Sequence, residues 1–231
     1  MKRIHALLGV QSVVAILVSI NRLGTWTLGY VLPNEFLRWV DFNNMLILPL
    51  ISVVASYLLK KTIEYSSPER EGKAHVAWNL VFIVGLYLLA ASYGNHELTN
   101  YLHQRFCGID TSSDLCRIVI FNDDEFSHWI FFTGFVMVNA ALLFLQNVFP
   151  HREQLTSADI GLLTFNALFL GAGIFANLGF EEIGLDLYVV AFLAILSVYL
   201  LWKRGKQPLF IYYTVAYWLG LIASLIAQAL R

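Results

Sequence analysis

Two stretches concentrate the side chains able to do chemistry. One is YGNHELTNYLHQRFC, residues 93–107, and the other is FNDDEFSHW, residues 121–129. His96, Asn100 and His103 recur at i, i+4 and i+7, which places them on one face of a continuing helix. Asp124 and His128, at i and i+4, share a face in the same way. Three imidazoles and a carboxylate converging from two neighbouring helices make a ligand set suited to Zn, with Fe or Mn as alternatives. Glu97, Asp123 and Glu125 are spare carboxylates that can orient the imidazoles or act as a general base.

A plainer reading stands beside this one. Polar residues belong at helix ends on a membrane interface. Asp123 and Asp124 can cap a helix and complement its dipole, and Glu181 and Glu182 can do the same for a later one. His103 can simply be solvated. Depth favours a site, because His96 and His128 reach the hydrocarbon edge, where an ionisable side chain is costly without a partner. The sequence leaves both readings open.

The elements that must position these residues follow from composition. The 231 residues are 58% hydrophobic and 13% charged, against about 25% charged in ordinary soluble domains. Apolar runs near the ~20 residues needed to cross hydrocarbon predict an all-α, polytopic membrane protein. A single seven-helix bundle over 1–231 is expected, with helices at roughly 4–21, 43–61, 75–96, 127–149, 158–178, 184–203 and 208–229. The pattern is not the ten-residue alternation of a β-barrel. No basic patch points to nucleic acid. Lys2 and Arg3 before an apolar run resemble a signal peptide, but no small-x-small cleavage site follows, so a retained first helix is expected.

Lys and Arg set the orientation. With the N-terminus inside, Lys2, Arg3, Lys60, Lys61, Arg70, Lys73, Arg152, Lys203, Arg204 and Lys206 are inner, and Arg22, Arg38, Arg105, Arg117 and Arg231 are outer. All lysines fall inside, which predicts N-in and C-out. Cys107 and Cys116, the only cysteines, then lie on the outer, oxidising side, where a disulfide is plausible. That side is a bacterial periplasm or an endomembrane lumen. Trp26, Tyr30, Phe36 and Trp39 place the loop 22–42 in the interface, partly as a short amphipathic helix. Residues 62–74, with Pro68, read as an inner turn. Asn139, Asn166, Ser197, Thr214 and Ser224 read as interhelical hydrogen-bonding positions, and Gly171 and Gly173 as points of close helix approach.

His75 and His151 mirror His96 and His128 at the opposite helix ends, so one haem at each face is conceivable. Separations of 21 and 23 residues put such ligands over ~30 Å apart, in the headgroup zones. A retinal protein fits poorly, because the last helix lacks the lysine that a Schiff base requires.

Ser92-x3-His96 at a helix end, followed by Asp123 or Asp124 at the start of the next helix, resembles the alkaline ceramidase and adiponectin-receptor superfamily of seven-helix membrane hydrolases. The resemblance implies zinc and a water that attacks a lipid amide. The family's His-x3-His pair near the last helix is absent, since residues 208–229 contain no histidine. His103 and His128 would have to replace those ligands.

The expectation is therefore a metal-dependent membrane enzyme, a hydrolase acting on a lipid or other apolar substrate. His96, His103, Asp124 and His128 would hold the metal, and Glu97 or Asp123 would move protons. With iron, oxidative chemistry is equally open. The rival expectation is a small transporter, receptor or assembly factor with an acidic outer vestibule.

Overall fold

Long apolar segments have one economical way to satisfy their backbone amides out of water, which is to wind into helices. The computed structural model describes residues 1–65, 72–109, 111–180 and 184–230. Among these residues the regular structure is helical, apart from one isolated antiparallel bridge between Tyr30 and Arg38. Seven helices are long and apolar enough to cross a membrane: α1 (Lys2–Leu23), α2 (Trp39–Tyr65), α3 (Lys73–Phe106), α4 (Asp114–Val148), α5 (Ser157–Phe180), α6 (Leu185–Arg204) and α7 (Pro208–Ala229). This is the architecture of a multi-pass membrane protein.

Helix α3 is longer than the sequence pattern indicates. Its 34 residues extend about 51 Å at ~1.5 Å per residue. Fitting that length into ~30 Å of hydrocarbon would need a tilt of about 54°, beyond the 0–40° that spanning helices adopt. One end must therefore project. Exposed Val76, Leu80, Ile83 and Tyr87 belong to the lipid-facing part, whereas Asn95, His96, Asn100 and His103 occupy the continuation. Helix α4 also begins before the expected residue 127, with Asp114–Ile120 and a π-helical turn at Phe121–Phe126. A second π-helical turn, Asn43–Ile47, lies inside α2.

Packing is closest between α3 and α4 and between α5 and α7, and both contacts depend on absent Cβ atoms. A Cβ on Gly134 would meet Gly85 O and Leu89 N at 2.8 Å. A Cβ on Gly171 would lie 3.0 Å from Ala216 O, so Gly171 is a point of close approach, whereas Gly173 has nothing within 4 Å. Helix α1 bridges α2 and α5. There Gln11 bonds Ser52 and Ser56, Ser12 donates to Asn166 at 2.9 Å, and His5 meets Asp159 at 2.8 Å. Asn139, Ser197 and Ser224 instead bond carbonyls of their own helices. One buried apolar cluster draws on all seven helices. Outside it, Tyr188, Phe192, Ile195, Tyr199 and Trp202 form an exposed stripe along α6, a surface that suits lipid and not water.

The segment before α2 is not the short amphipathic helix expected between residues 22 and 42. Val31, Trp39 and Val40 donate to Leu37, Gly29 and Thr27 carbonyls, which folds the chain back on itself, and helix begins only at Trp39. Trp26 and Phe36 are exposed, as the interfacial reading requires. Pro68, Arg70, Glu181, Glu182 and Arg231 lie outside the described residues.

Two outcomes test these contacts. Gly134→Leu should lower stability by about 1–3 kcal/mol or more, because backbone cannot yield to the new side chain, while Gly173→Ala should leave the unfolding midpoint unchanged. Unfolding in detergent, followed by size exclusion, checks both. His151, between α4 and α5, has its pKa lowered by burial and then by repulsion from the N-terminal ammonium. Its folded pKa lies below the unfolded value, so this contribution is intact above about pH 6.5 and is lost as the pH falls through the lowered folded value. His151→Asn should flatten part of the acid-side fall in unfolding free energy.

Candidate metal centre

The projecting end of α3 packs against both π-helical turns. A π turn carries an extra residue and leaves carbonyls poorly served within the helix. Side chains of α3 answer them. Ser92 Oγ donates to Ser127 O at 2.8 Å, and Asn95 Nδ2 donates to Asn122 O at 3.1 Å. Ser127 Oγ in turn donates to Asp123 O at 2.6 Å. In the second turn, Asn44 is buried and accepts from Asn21 Nδ2 at 2.7 Å.

The π register decides which aspartate faces α3. In an α-helix, Asp124 would share a face with His128 at i, i+4. With i→i+5 bonding through 121–126, Asp123 takes that place. Asp123 is 1% exposed, and Asp124 has 58% of its side chain in the open. His103 Nδ1 lies 2.9 Å from Asp123 Oδ2, and His96 Nδ1 lies 3.0 Å from Asp123 Oδ1. Asn100 Nδ2 reaches the same Asp123 Oδ2 at 3.5 Å. The His96 and His128 rings stand 4.9 Å apart, centroid to centroid. Asp124 Oδ1 is 4.0 Å from His103 Nδ1.

The expected residues thus separate into three groups. His103, Asp123 and Asp124 offer ligand-type atoms all within 4.8 Å of one another. His96 and His128 stand beside them. Glu97 points elsewhere: its buried carboxylate meets Arg22 Nη2 at 2.6 Å, tying α3 to the end of α1. Glu125 is exposed. Asp123 takes the central position that the i, i+4 argument gave to Asp124, and the extra residue of the π turn is the reason.

One contact has the character of a ligand site more than of a finished hydrogen bond. His96 Nδ1 and Asp123 Oδ1 are both buried and meet at 3.0 Å, but the contact lacks the alignment of a regular hydrogen bond. The donor set is imidazole and carboxylate without thiolate, because Cys107 and Cys116 are joined by a disulfide of 2.01 Å. Such a set fits Zn, Fe or Mn.

A second polar cluster lies at the other end of α2 and α3. Buried Lys60 Nζ and His75 Nε2 meet Glu64 Oε1 at 2.6 and 2.7 Å, and Lys61 Nζ lies 3.3 Å from Oε2. Asn79 contacts the same His75 nitrogen at 2.8 Å, and His75 packs edge-on against Phe149. The i, i+4 pairs Lys60–Glu64 and His75–Asn79 were visible in the sequence as its signal. Comparison with protein-family models, curated proteins and solved structures gives no match, so the site is read from its own geometry.

If Ser92 and Asn95 hold the π turn, Ser92→Ala and Asn95→Ala should each cost about 1 kcal/mol. They should also loosen the Asp123–His103 contact, read as changed ring chemical shifts of His103 at fixed pH in NMR spectra of ring-labelled protein.

Proposed function

We propose that this chain is a metal-dependent membrane hydrolase with its site at the extracytoplasmic rim, N-terminus inside and C-terminus outside. The observation carrying the proposal is the group of His103, Asp123 and Asp124 ligand atoms within 4.8 Å of one another, with buried His96 Nδ1 at 3.0 Å from Asp123 Oδ1 beside it. The orientation rests on the lysines. All six fall in inner segments on this threading, and the disulfide falls beside the site at the opposite end.

His103, Asp123 and Asp124 would hold the ion, with His96 and His128 completing the donor set. An ion there supplies Lewis acidity, which polarises a carbonyl and lets water act as a nucleophile near neutral pH. Asp123 fixes the two imidazoles of α3 with its two oxygens. Asp124, the most exposed carboxylate of the group, is placed to exchange protons with solvent. Glu97, committed to Arg22, keeps α1 and α3 together instead of carrying protons. Support for an apolar substrate comes from the site's flank, where exposed Phe121, Phe126 and Trp129 pack into an aromatic patch suited to the bilayer interface. Ser92-x3-His96 followed by an aspartate is the feature shared with the ceramidase-type hydrolases, and a zinc-assisted attack on a lipid amide or ester is the corresponding reaction.

Metal analysis of the purified protein after equilibration with Zn²⁺, Fe²⁺ or Mn²⁺ tests this. About one tightly held ion per chain is expected. The ion should be lost in His103→Ala and Asp123→Asn, retained in Glu97→Gln, and accompanied by release of fatty acid from lipid amides or esters. A folded wild-type protein that retains no ion would overturn the enzyme reading and favour a transporter, receptor or assembly factor.

A further inference from the structure

Away from the His–Asp cluster, the C-terminal ends of α5 and α7 and the start of α6 form a half-open chamber of about 310 Å³. Its walls are largely leucine, including Leu178, Leu187 and Leu221. Asp186 lines it and is 2% exposed. One oxygen, Oδ1, accepts the Leu187 N–H at 2.8 Å, while Oδ2 is buried with no hydrogen-bond partner. No Lys, Arg or His lines the chamber among the described residues.

A carboxylate in such surroundings is costly unless a cation answers it. A hard divalent ion would need six or more oxygen ligands. Among the described residues the polar side chains of the lining are Asp186, Ser224 and Gln228. A primary ammonium needs fewer partners, since it has three N–H donors and carries its charge on an apolar body. Asp186 Oδ2, the Gln228 side-chain carbonyl and Ser224 Oγ supply three acceptors. Ser224 Oγ already donates to Gly220 O at 2.8 Å and keeps its lone pairs. The volume suits an ammonium with a short length of alkyl chain, and half-exposed Leu225 and Leu187 line a way out along the helix surfaces.

We propose that this chamber binds the primary ammonium of an apolar amine, with Asp186 as its counter-ion. The amine is either the headgroup of a membrane lipid or a free long-chain base. The test uses full-length protein in dodecyl maltoside, with dodecylamine and dodecanol as probes of equal chain length. Dodecylamine should raise the thermal midpoint at neutral pH and dodecanol should not. Asp186→Asn should weaken the response roughly thirtyfold in apparent affinity. Ser224→Ala, which removes one acceptor and no bond to another helix, should weaken it severalfold while leaving the midpoint without amine close to that of wild type. In nanodiscs, a higher midpoint in phosphatidylethanolamine than in phosphatidylcholine, absent from Asp186→Asn, assigns the lipid headgroup. A response to dodecylamine alone assigns the free base. Equal responses to amine and alcohol, equal responses of wild type and Asp186→Asn, or no response at all overturn the proposal. His103→Ala should respond like wild type, which separates this chamber from the metal centre.

Discussion

A buried carboxylate at the end of a membrane-spanning helix is costly without polar partners, and Asp123 finds two in the imidazoles of α3. That requirement shapes everything around it. The imidazoles can reach Asp123 only because α3 runs on past the hydrocarbon, and α4 presents Asp123 only because one extra residue is wound into its first turns. The irregular turn is held to α3 by Asn95, which serves its Asn122 carbonyl, and by Ser92, which serves the Ser127 carbonyl just beyond it. A run of local choices on two helices is thus made consistent by a single desolvated charge.

The fold was largely legible in the sequence. Hydropathy located seven spans because a bilayer imposes a length of apolar helix that soluble proteins rarely need. Helix ends were less legible. Residues 97–106 are too polar to be read as membrane, yet they continue α3 because nothing in them breaks a helix. At the site, the residue types were visible and their roles were not. Spacing by 3.6 residues favours Asp124, and no side chain in FNDDEF announces that the backbone will wind more loosely there. Glu97 looked free on sequence because its partner, Arg22, lies 75 residues away on another element. Cys107 and Cys116 were paired by elimination as much as by geometry, and their Cα atoms stand 5.4 Å apart, as a disulfide requires.

The two ends of the α2–α3 region solve the same problem with different means. At one, Glu64 is surrounded by two lysines and a histidine, a set whose positive members outnumber the acid. At the other, Asp123 and Asp124 face imidazoles and no lysine. The first arrangement is complete as a set of ion pairs. The second leaves an excess of electron-pair donors, and that imbalance is what distinguishes a place to receive a cation from a staple between helices.

The disulfide has a further consequence for the integrity of the chain. Cys107 and Cys116 bracket the loop between α3 and α4, and Gly85 and Gly134 seat the same two helices together deeper in the bundle. A protease that cuts between the cysteines therefore produces two fragments that are still one covalent molecule, docked along their full interface. Only a reductant frees them, so the nicked form migrates as a single species until its sulfur bridge is opened.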